Sequence, residues 1–311
     1  MRWLTEERDA CGVGFIVDPS GHLSHDTISQ ALRALVCMEH RGGCGSDSDS
    51  GDGAGILTAI PWKLLSDWAA NESITLPDTE SVGVGMLFLP ANDDLRAQVK
   101  TEIAAYLDTT DYQLVGWRAV PVKPDALGPV ARGNQPAIEQ LVLSHPSLRD
   151  DELERSLYIL RKRLYKHLKA QFGADGFYAA SFSSRTIVYK GMVRSAVLGE
   201  FYHDLVNPNF VCSYATYHRR FSTNTLPKWP LAQPMRYLGH NGEINTYLGN
   251  VNWMTAREST FSNSTLADAL EDLKPIVDIS ASDSAGLDNA LELLIQSGYE
   301  ATEALAVMIP E

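Results

Sequence analysis

Four short segments of the 311-residue chain hold side chains with chemistry in them. Cys11 is followed by glycines at 12 and 14, which let the backbone approach a substrate closely. Were the ten residues before it removed, Cys11 would carry a thiol and a free α-amine, a complete nucleophile-plus-base unit. An α-amine of pKa ~7.7–8.0 is suited to taking a thiol proton at neutral pH. The other reading of Cys11 is a small buried hydrophobe that does nothing. His218-Arg-Arg-Phe-Ser-Thr-Asn-Thr225 offers guanidinium groups that can grip a carboxylate through two parallel hydrogen bonds, or simply face water. His240-Asn-Gly-Glu-Ile-Asn245 contains an Asn-Gly pair. Such a pair makes a tight turn, and it can also aim a side-chain amide and a backbone N–H at one developing oxyanion. Ser280-Ala-Ser-Asp-Ser284 reads as the cap of a following helix, with Asp283 also able to pair with an ammonium group.

A fifth segment, Arg41-Gly-Gly-Cys-Gly-Ser-Asp-Ser-Asp-Ser-Gly-Asp-Gly-Ala-Gly55, invites a metal or phosphate reading and fails both. As a calcium loop it has Asp47 and Asp49, but Gly51 stands at the third ligand position and Thr58 where a bidentate Glu is needed. As a phosphate cradle it lacks the dinucleotide fingerprint and the P-loop lysine, and its acidic residues repel phosphate. The four cysteines, Cys11, Cys37, Cys44 and Cys212, show no zinc spacing and no disulfide framework. Twenty-six basic against 39 acidic side chains leave a formal charge of −13, without the concentrated basic face that nucleic acid requires. No apolar run reaches the ~18 residues of a membrane span, and the charged first ten residues have no signal-peptide apolar region. A compartment such as the cytoplasm, or an organelle or plastid stroma in a eukaryote, is expected.

The elements that must position these groups follow from periodicity. Residues 11–17 form a short apolar strand closed by the turn Asp18-Pro-Ser-Gly21. Asp26 is expected to cap a helix whose apolar face is Ile28, Leu32, Leu35 and Val36. Strands are expected over 82–89 and 113–120, with a helix over 95–107 and a surface connection over 121–136. The helix over 151–171, with leucines at 153, 157, 160, 164 and 168, has the strongest pattern. Residues 177–182 and 186–189 read as a hairpin, 210–217 as a strand, and 246–258, 284–296 and 300–308 as helices. Strands and helices in mixed order favour an α+β fold over a doubly wound sheet.

Taken together these segments resemble one family from about residue 9 to the end: the class II (N-terminal nucleophile) glutamine amidotransferases, and within it the large subunit of glutamate synthase. The resemblance rests on Cys11-Gly-Val-Gly-Phe15, on Met38-Glu-His-Arg-Gly42 through Asp52-Gly-Ala-Gly-Ile56, and on Arg220-Phe-Ser-Thr-Asn-Thr225. It continues in Trp229-Pro-Leu-Ala-Gln-Pro234, His240-Asn-Gly-Glu-Ile-Asn-Thr246 with Asn252-Trp253, and Ser282-Asp-Ser284 with Leu287-Asp-Asn289.

The resemblance implies a four-layer αββα sandwich, the N-terminal nucleophile hydrolase fold, with a leader over residues 1–10 and a glutaminase domain over 11–311. It implies Cys11 as nucleophile, its own amine as base, and Asn241 (side chain) with Gly242 (backbone N–H) as oxyanion donors. Arg220 would hold the α-carboxylate of L-glutamine and Asp283 its α-ammonium, with Thr223 a pocket residue and Arg41 near the nucleophile. The implied reaction is hydrolysis of glutamine to glutamate and ammonia, supplying reductive amination of 2-oxoglutarate. No cofactor is implied for this segment. FMN and a 3Fe-4S cluster belong, by the resemblance, to later domains of the same subunit, as do further core strands past the last helix. The implied partners are those remaining synthase domains and an electron donor, either ferredoxin or an NAD(P)H-dependent small subunit. The segments 42–55 and roughly 80–190 read as long inserts that fit glutamate synthase better than shorter class II enzymes. The alternatives are the glutaminase domain of another class II amidotransferase, or a catalytically silent chain that retains its leader.

Overall fold

The computed structural model describes residues 12–39, 47, 49–173, 176–220, 226–242 and 244–309. In chain order these form β1 (Val13–Val17), α1 (His25–Cys37), β2 (Ala54–Ala59), α2 (Trp62–Asn71), β3 (Val82–Leu89), α3 (Asp93–Leu107), β4 (Gln113–Ala119), α4 (Pro129–Gly133), β5 (Ala137–Ser144), α5 (Asp150–Phe172), β6 (Tyr178–Ser183), β7 (Thr186–Gly191), α6 (Leu198–Phe201), β8 (Tyr214–Arg219), α7 (Tyr247–Glu258), α8 (Leu270–Leu273), α9 (Asp283–Gln296) and α10 (Ala301–Met308). Two antiparallel sheets result, ordered β1-β8-β2-β7 and β4-β5-β3-β6. Helix α1 covers the first sheet, while α3 and α5 cover the second. The layers are helix, sheet, sheet, helix, the expected αββα sandwich.

Strand β3 shows why the layers stack. All eight of its residues are buried. Alternate side chains point to opposite faces of a strand, so Val84, Met86 and Phe88 enter the core between the sheets while Leu87 and Leu89 meet the leucines of α5. Gly83 lies under Leu157, where a Cβ would come within 2.6 Å of a leucine methyl. The two sheets are also tied by a buried polar link. Arg118 on β4 makes two bonds to Asp204, 2.6 and 2.7 Å, and the Tyr189 hydroxyl on β7 donates to the same carboxylate at 2.8 Å. A third cluster, built on Tyr158, Val251, Leu273, Ile276 and Leu293, seats α7, α8 and α9 beside α5.

Several expectations change. Ser24, not Asp26, caps α1: its side chain accepts from the Asp26 N–H, and Asp26 sits in the first turn. Residues 177–182 and 186–189 are not a paired hairpin. The chain passes from β6 in one sheet to β7 in the other, held by Glu154, which accepts from the Ser183 and Ser184 hydroxyls and the Ser184 N–H. The connection over 121–136 is no mere surface loop, since Leu127 and Ala131 are buried and Val130 N–H donates to Asp47. Most of the stretch read as an insert supplies the whole second sheet and β7 of the first.

Candidate functional site

The candidate groups gather at one end of the first sheet because of its register. Val13 of β1 pairs with His218 of β8, and Ala54 of β2 pairs with Arg219. The start of β1, the start of β2 and the end of β8 therefore lie side by side. Gly12 accepts a 2.5 Å hydrogen bond from the Arg219 N–H, and the Arg220 N–H donates to the Gly53 carbonyl at 2.8 Å. Cys11, bonded to Gly12, lies outside the described residues, as do Arg41 and Thr223.

The two arginines at the end of β8 differ in environment. Arg219 is 1% exposed and donates to Asp52 at 2.9 Å, with Glu39 3.8 Å away. Glu39 in turn accepts from Ser195 and from the Ala196 N–H. This arginine fixes the end of the sheet. Arg220 turns outward: its side chain is 53% exposed, and its Nε lies 3.7 Å from Asp52. Its φ of 112° is a backbone conformation side chains rarely adopt. Such strain persists only where surrounding contacts over-determine it, and it clusters at ligand-binding sites.

Behind Arg220 stands His218, 1% exposed. Its Nδ1 lies 3.1 Å from the Arg220 carbonyl and its Nε2 2.9 Å from the His240 carbonyl. Burial pushes its pKa down to about 4 against the opposing pull of the two carbonyls. The His240 N–H donates to Gln233, the Gly242 N–H donates to His240 Nδ1 at 3.1 Å, and the Ile244 N–H donates to Asp283 at 3.2 Å. Asp283 is the first residue of α9, capped by Ser282, whose hydroxyl accepts from the Ala285 N–H. The Asp283 carboxylate also accepts from the Ser284 N–H at 2.7 Å.

A chain of contacts thus runs from Gly12 through β8 to Arg220, to residues 240–242 and Ile244, and on to Asp283. Asn241 stands within it. Its side chain lies beside His218, and its amide Nδ2 is buried without a hydrogen-bond partner among the described residues. A buried donor of this kind costs free energy until something accepts from it.

The structure adds His218, Arg219 and Asp52 to the residues picked out from sequence. The signal for His218 was present: it opens the same motif, two residues before Arg220. Asp47 has a structural explanation, accepting from Ser50 and Val130, and these bonds, the Ser50 hydroxyl foremost, bring its pKa down to about 2. Among the described residues no three His, Cys, Asp or Glu side chains gather to hold a metal ion, and no helix is long and apolar enough to cross a membrane.

Two antiparallel sheets between helices, with the candidate groups at the start of β1 and the end of β8, are the architecture of an N-terminal nucleophile hydrolase. Residues 11–311 match the family of class-II glutamine amidotransferases, and the chain belongs to that family. It is 54% identical to a protein named ferredoxin-dependent glutamate synthase 2 from Synechocystis sp., 50% identical to a ferredoxin-dependent glutamate synthase from Pyropia yezoensis, and 48% identical to a chloroplastic ferredoxin-dependent glutamate synthase 2 from Arabidopsis thaliana. Each match covers 99% of this chain but about one fifth of the relative, 20%, 20% and 19% respectively.

Proposed function

We propose that this chain hydrolyses L-glutamine to L-glutamate and ammonia, with Cys11 as nucleophile once residues 1–10 have been removed. The observation that carries the reading is the buried Nδ2 of Asn241, which has no hydrogen-bond partner among the described residues and stands by His218 at the sheet end where β1 begins. In the reaction, the α-amine of Cys11 takes the thiol proton as sulfur bonds to the side-chain carbonyl carbon of glutamine. The carbonyl oxygen becomes an oxyanion, accepting from Asn241 Nδ2 and from the Gly242 N–H, while the amine returns its proton to the leaving ammonia. Water then attacks the thioester, releasing glutamate and restoring the thiol. Arg220 pairs with the α-carboxylate of the substrate and Asp283 with its α-ammonium. Arg41 and Thr223 complete the pocket on this reading.

In the longer polypeptide that the relatives represent, the released ammonia would serve reductive amination of 2-oxoglutarate, with ferredoxin as the electron donor their names point to. FMN and a 3Fe-4S cluster would be held by other domains of that polypeptide. The described cysteines here offer no set for a cluster: Cys37 is exposed at the end of α1, and Cys212 is buried in a bridge to Ser24. A plastid stroma or the cytoplasm fits this assignment.

The test is intact-mass analysis of the expressed chain alongside ammonia release from glutamine. Full turnover by protein that retains Met1 would sink the N-terminal mechanism, since an acylated nitrogen has given its lone pair to amide resonance.

A further inference from the structure

The carboxylate grip and the oxyanion donors of the proposed site sit on different loops, one at Arg220 and one at 240–242, separated by twenty residues of chain. One side chain contacts both. His218 projects from β8, a strand paired on both sides, with Val13 of β1 and Gly55 of β2 as its partners. Its ring is buried, so its position is set by the sheet, and each of its nitrogens faces a carbonyl: Arg220 at 3.1 Å, His240 at 2.9 Å. Arg220 holds a φ of 112° at that point, and its carbonyl and N–H are both engaged, the latter with Gly53.

We propose that His218 is a positioning residue that sets the spacing between the carboxylate-binding arginine and the oxyanion loop by contacting the carbonyls of Arg220 and His240 together. The inference rests on the glutamine-hydrolysis reading and deepens it. His218 does not touch substrate: it acts through the loops on either side. A neutral imidazole carries one N–H, so it donates to one of the two carbonyls while its other nitrogen stands against the second. The consequence is that substrate fit at Arg220 and transition-state binding at Asn241 depend on the same ring. Reactivity of the Cys11 thiol by itself does not.

The test compares His218→Phe, which keeps a ring but removes both nitrogens, with His218→Gln, whose amide nitrogen carries two N–H groups. Two alkylation rates at Cys11 are measured on the full chain: with iodoacetamide, which needs only the thiol, and with 6-diazo-5-oxo-L-norleucine, which must bind as glutamine does. His218→Phe should lose tenfold or more in kcat/KM for glutamine and in labelling by the glutamine analogue, with the iodoacetamide rate within twofold of wild type. His218→Gln should recover most of the loss. Should His218→Phe not fold, His218→Asn, too short to reach both carbonyls, takes its place with the same expected outcome. Equal loss in both alkylation rates, analogue labelling within threefold of wild type, or no recovery in a folded His218→Gln each overturns the positioning role. A wild-type chain, processed at Cys11, that neither hydrolyses glutamine nor accepts the analogue refutes the proposed function itself, and this inference with it.

Discussion

The backbone N–H of Gly242 donates to Nδ1 of His240 across 3.1 Å, although the proposed oxyanion needs that same N–H. The Nδ2 of Asn241 has no such partner among the described residues. Of the two proposed donors, Asn241 is the one already free to donate to a developing oxyanion, while Gly242 must exchange an imidazole for it.

Asn241→Ala should therefore lower kcat by about 10²–10³ while leaving KM within a few-fold. The oxyanion exists only after sulfur has attacked, so a donor aimed at it binds the transition state and not the ground state. The check is ammonia release by folded, processed protein. A kcat within about threefold of wild type would reduce Asn241-Gly242 to a tight turn.

Arg220 and Asp283 should act on KM instead, and unequally. Removing one member of a desolvated charge pair costs ~2–5 kcal/mol, but the Arg220 side chain is half-exposed, which places Arg220→Ala toward the low end of that range. Asp283 is buried and also accepts from the Ile244 and Ser284 N–H groups. Asp283→Ala therefore loosens the 240–244 loop as well as the ammonium site, and should reduce kcat along with affinity. Steady-state kinetics on glutamine separate the two patterns, and wild-type KM in Arg220→Ala would remove that arginine from the site.

The candidate residues were easier to pick out from the sequence than the sheets around them. Arg220, Asn241, Gly242 and Asp283 stood in motifs whose residue types suit an amino acid zwitterion and an oxyanion, and the fold gathers them at one sheet end. Strand β5 went unseen because Glu139 and Gln140 break its apolar run. Both are buried, and Glu139 is met by Lys100 at 2.5 Å and Arg96 at 3.3 Å, while Gln140 is met by Arg118 at 3.0 Å and the Tyr189 hydroxyl at 2.9 Å. Those partners are distant in sequence, so no local pattern reveals them. Strand β2 was hidden by the glycine-rich segment that leads into it. Arg219 and Arg220 look alike as letters; Arg219 is the last residue of β8 and is buried against Asp52, while Arg220 lies just past the strand, where a φ of 112° accompanies its outward turn.

Acid should weaken the fold through His218. Its pKa is about 4 when folded, against an ordinary value of 6.5, so between those values the unfolded chain binds more protons and stability falls as pH falls. The window runs from about pH 6.5 down to about 4, and the full loss is roughly 3 kcal/mol at 1.36 kcal/mol per unit. His240 and His145, also shifted down by burial, add in the same direction. Urea midpoints at pH 7, 5.5 and 4.5 should fall more steeply in wild type than in His218→Gln. Parallel slopes would mean that the imidazole is not the group that titrates.

Two glycine substitutions should have opposite effects on stability. At Gly12 an added Cβ would lie 2.3 Å from the Arg219 carbonyl oxygen, a backbone atom of the paired strand β8 that cannot move aside as a flexible side chain would. Something in the β1–β8 pairing must give, at the end where Cys11 joins. Gly12→Ala should cost ~1–3 kcal/mol of stability, the range for forcing extra volume into a packed site, and should cut turnover at least tenfold by displacing Cys11, the proposed nucleophile. At Gly249, inside α7, a Cβ would meet nothing within 4 Å. Gly249→Ala, in the first turn of α7, should stabilise by up to ~0.5–1 kcal/mol, because helical glycine loses more chain entropy on folding than alanine does. Chemical denaturation gives both numbers, and glutamine-analogue labelling of Cys11 gives the activity arm. A Gly12→Ala protein as stable and as readily labelled as wild type would show that the start of β1 does not lie against Arg219.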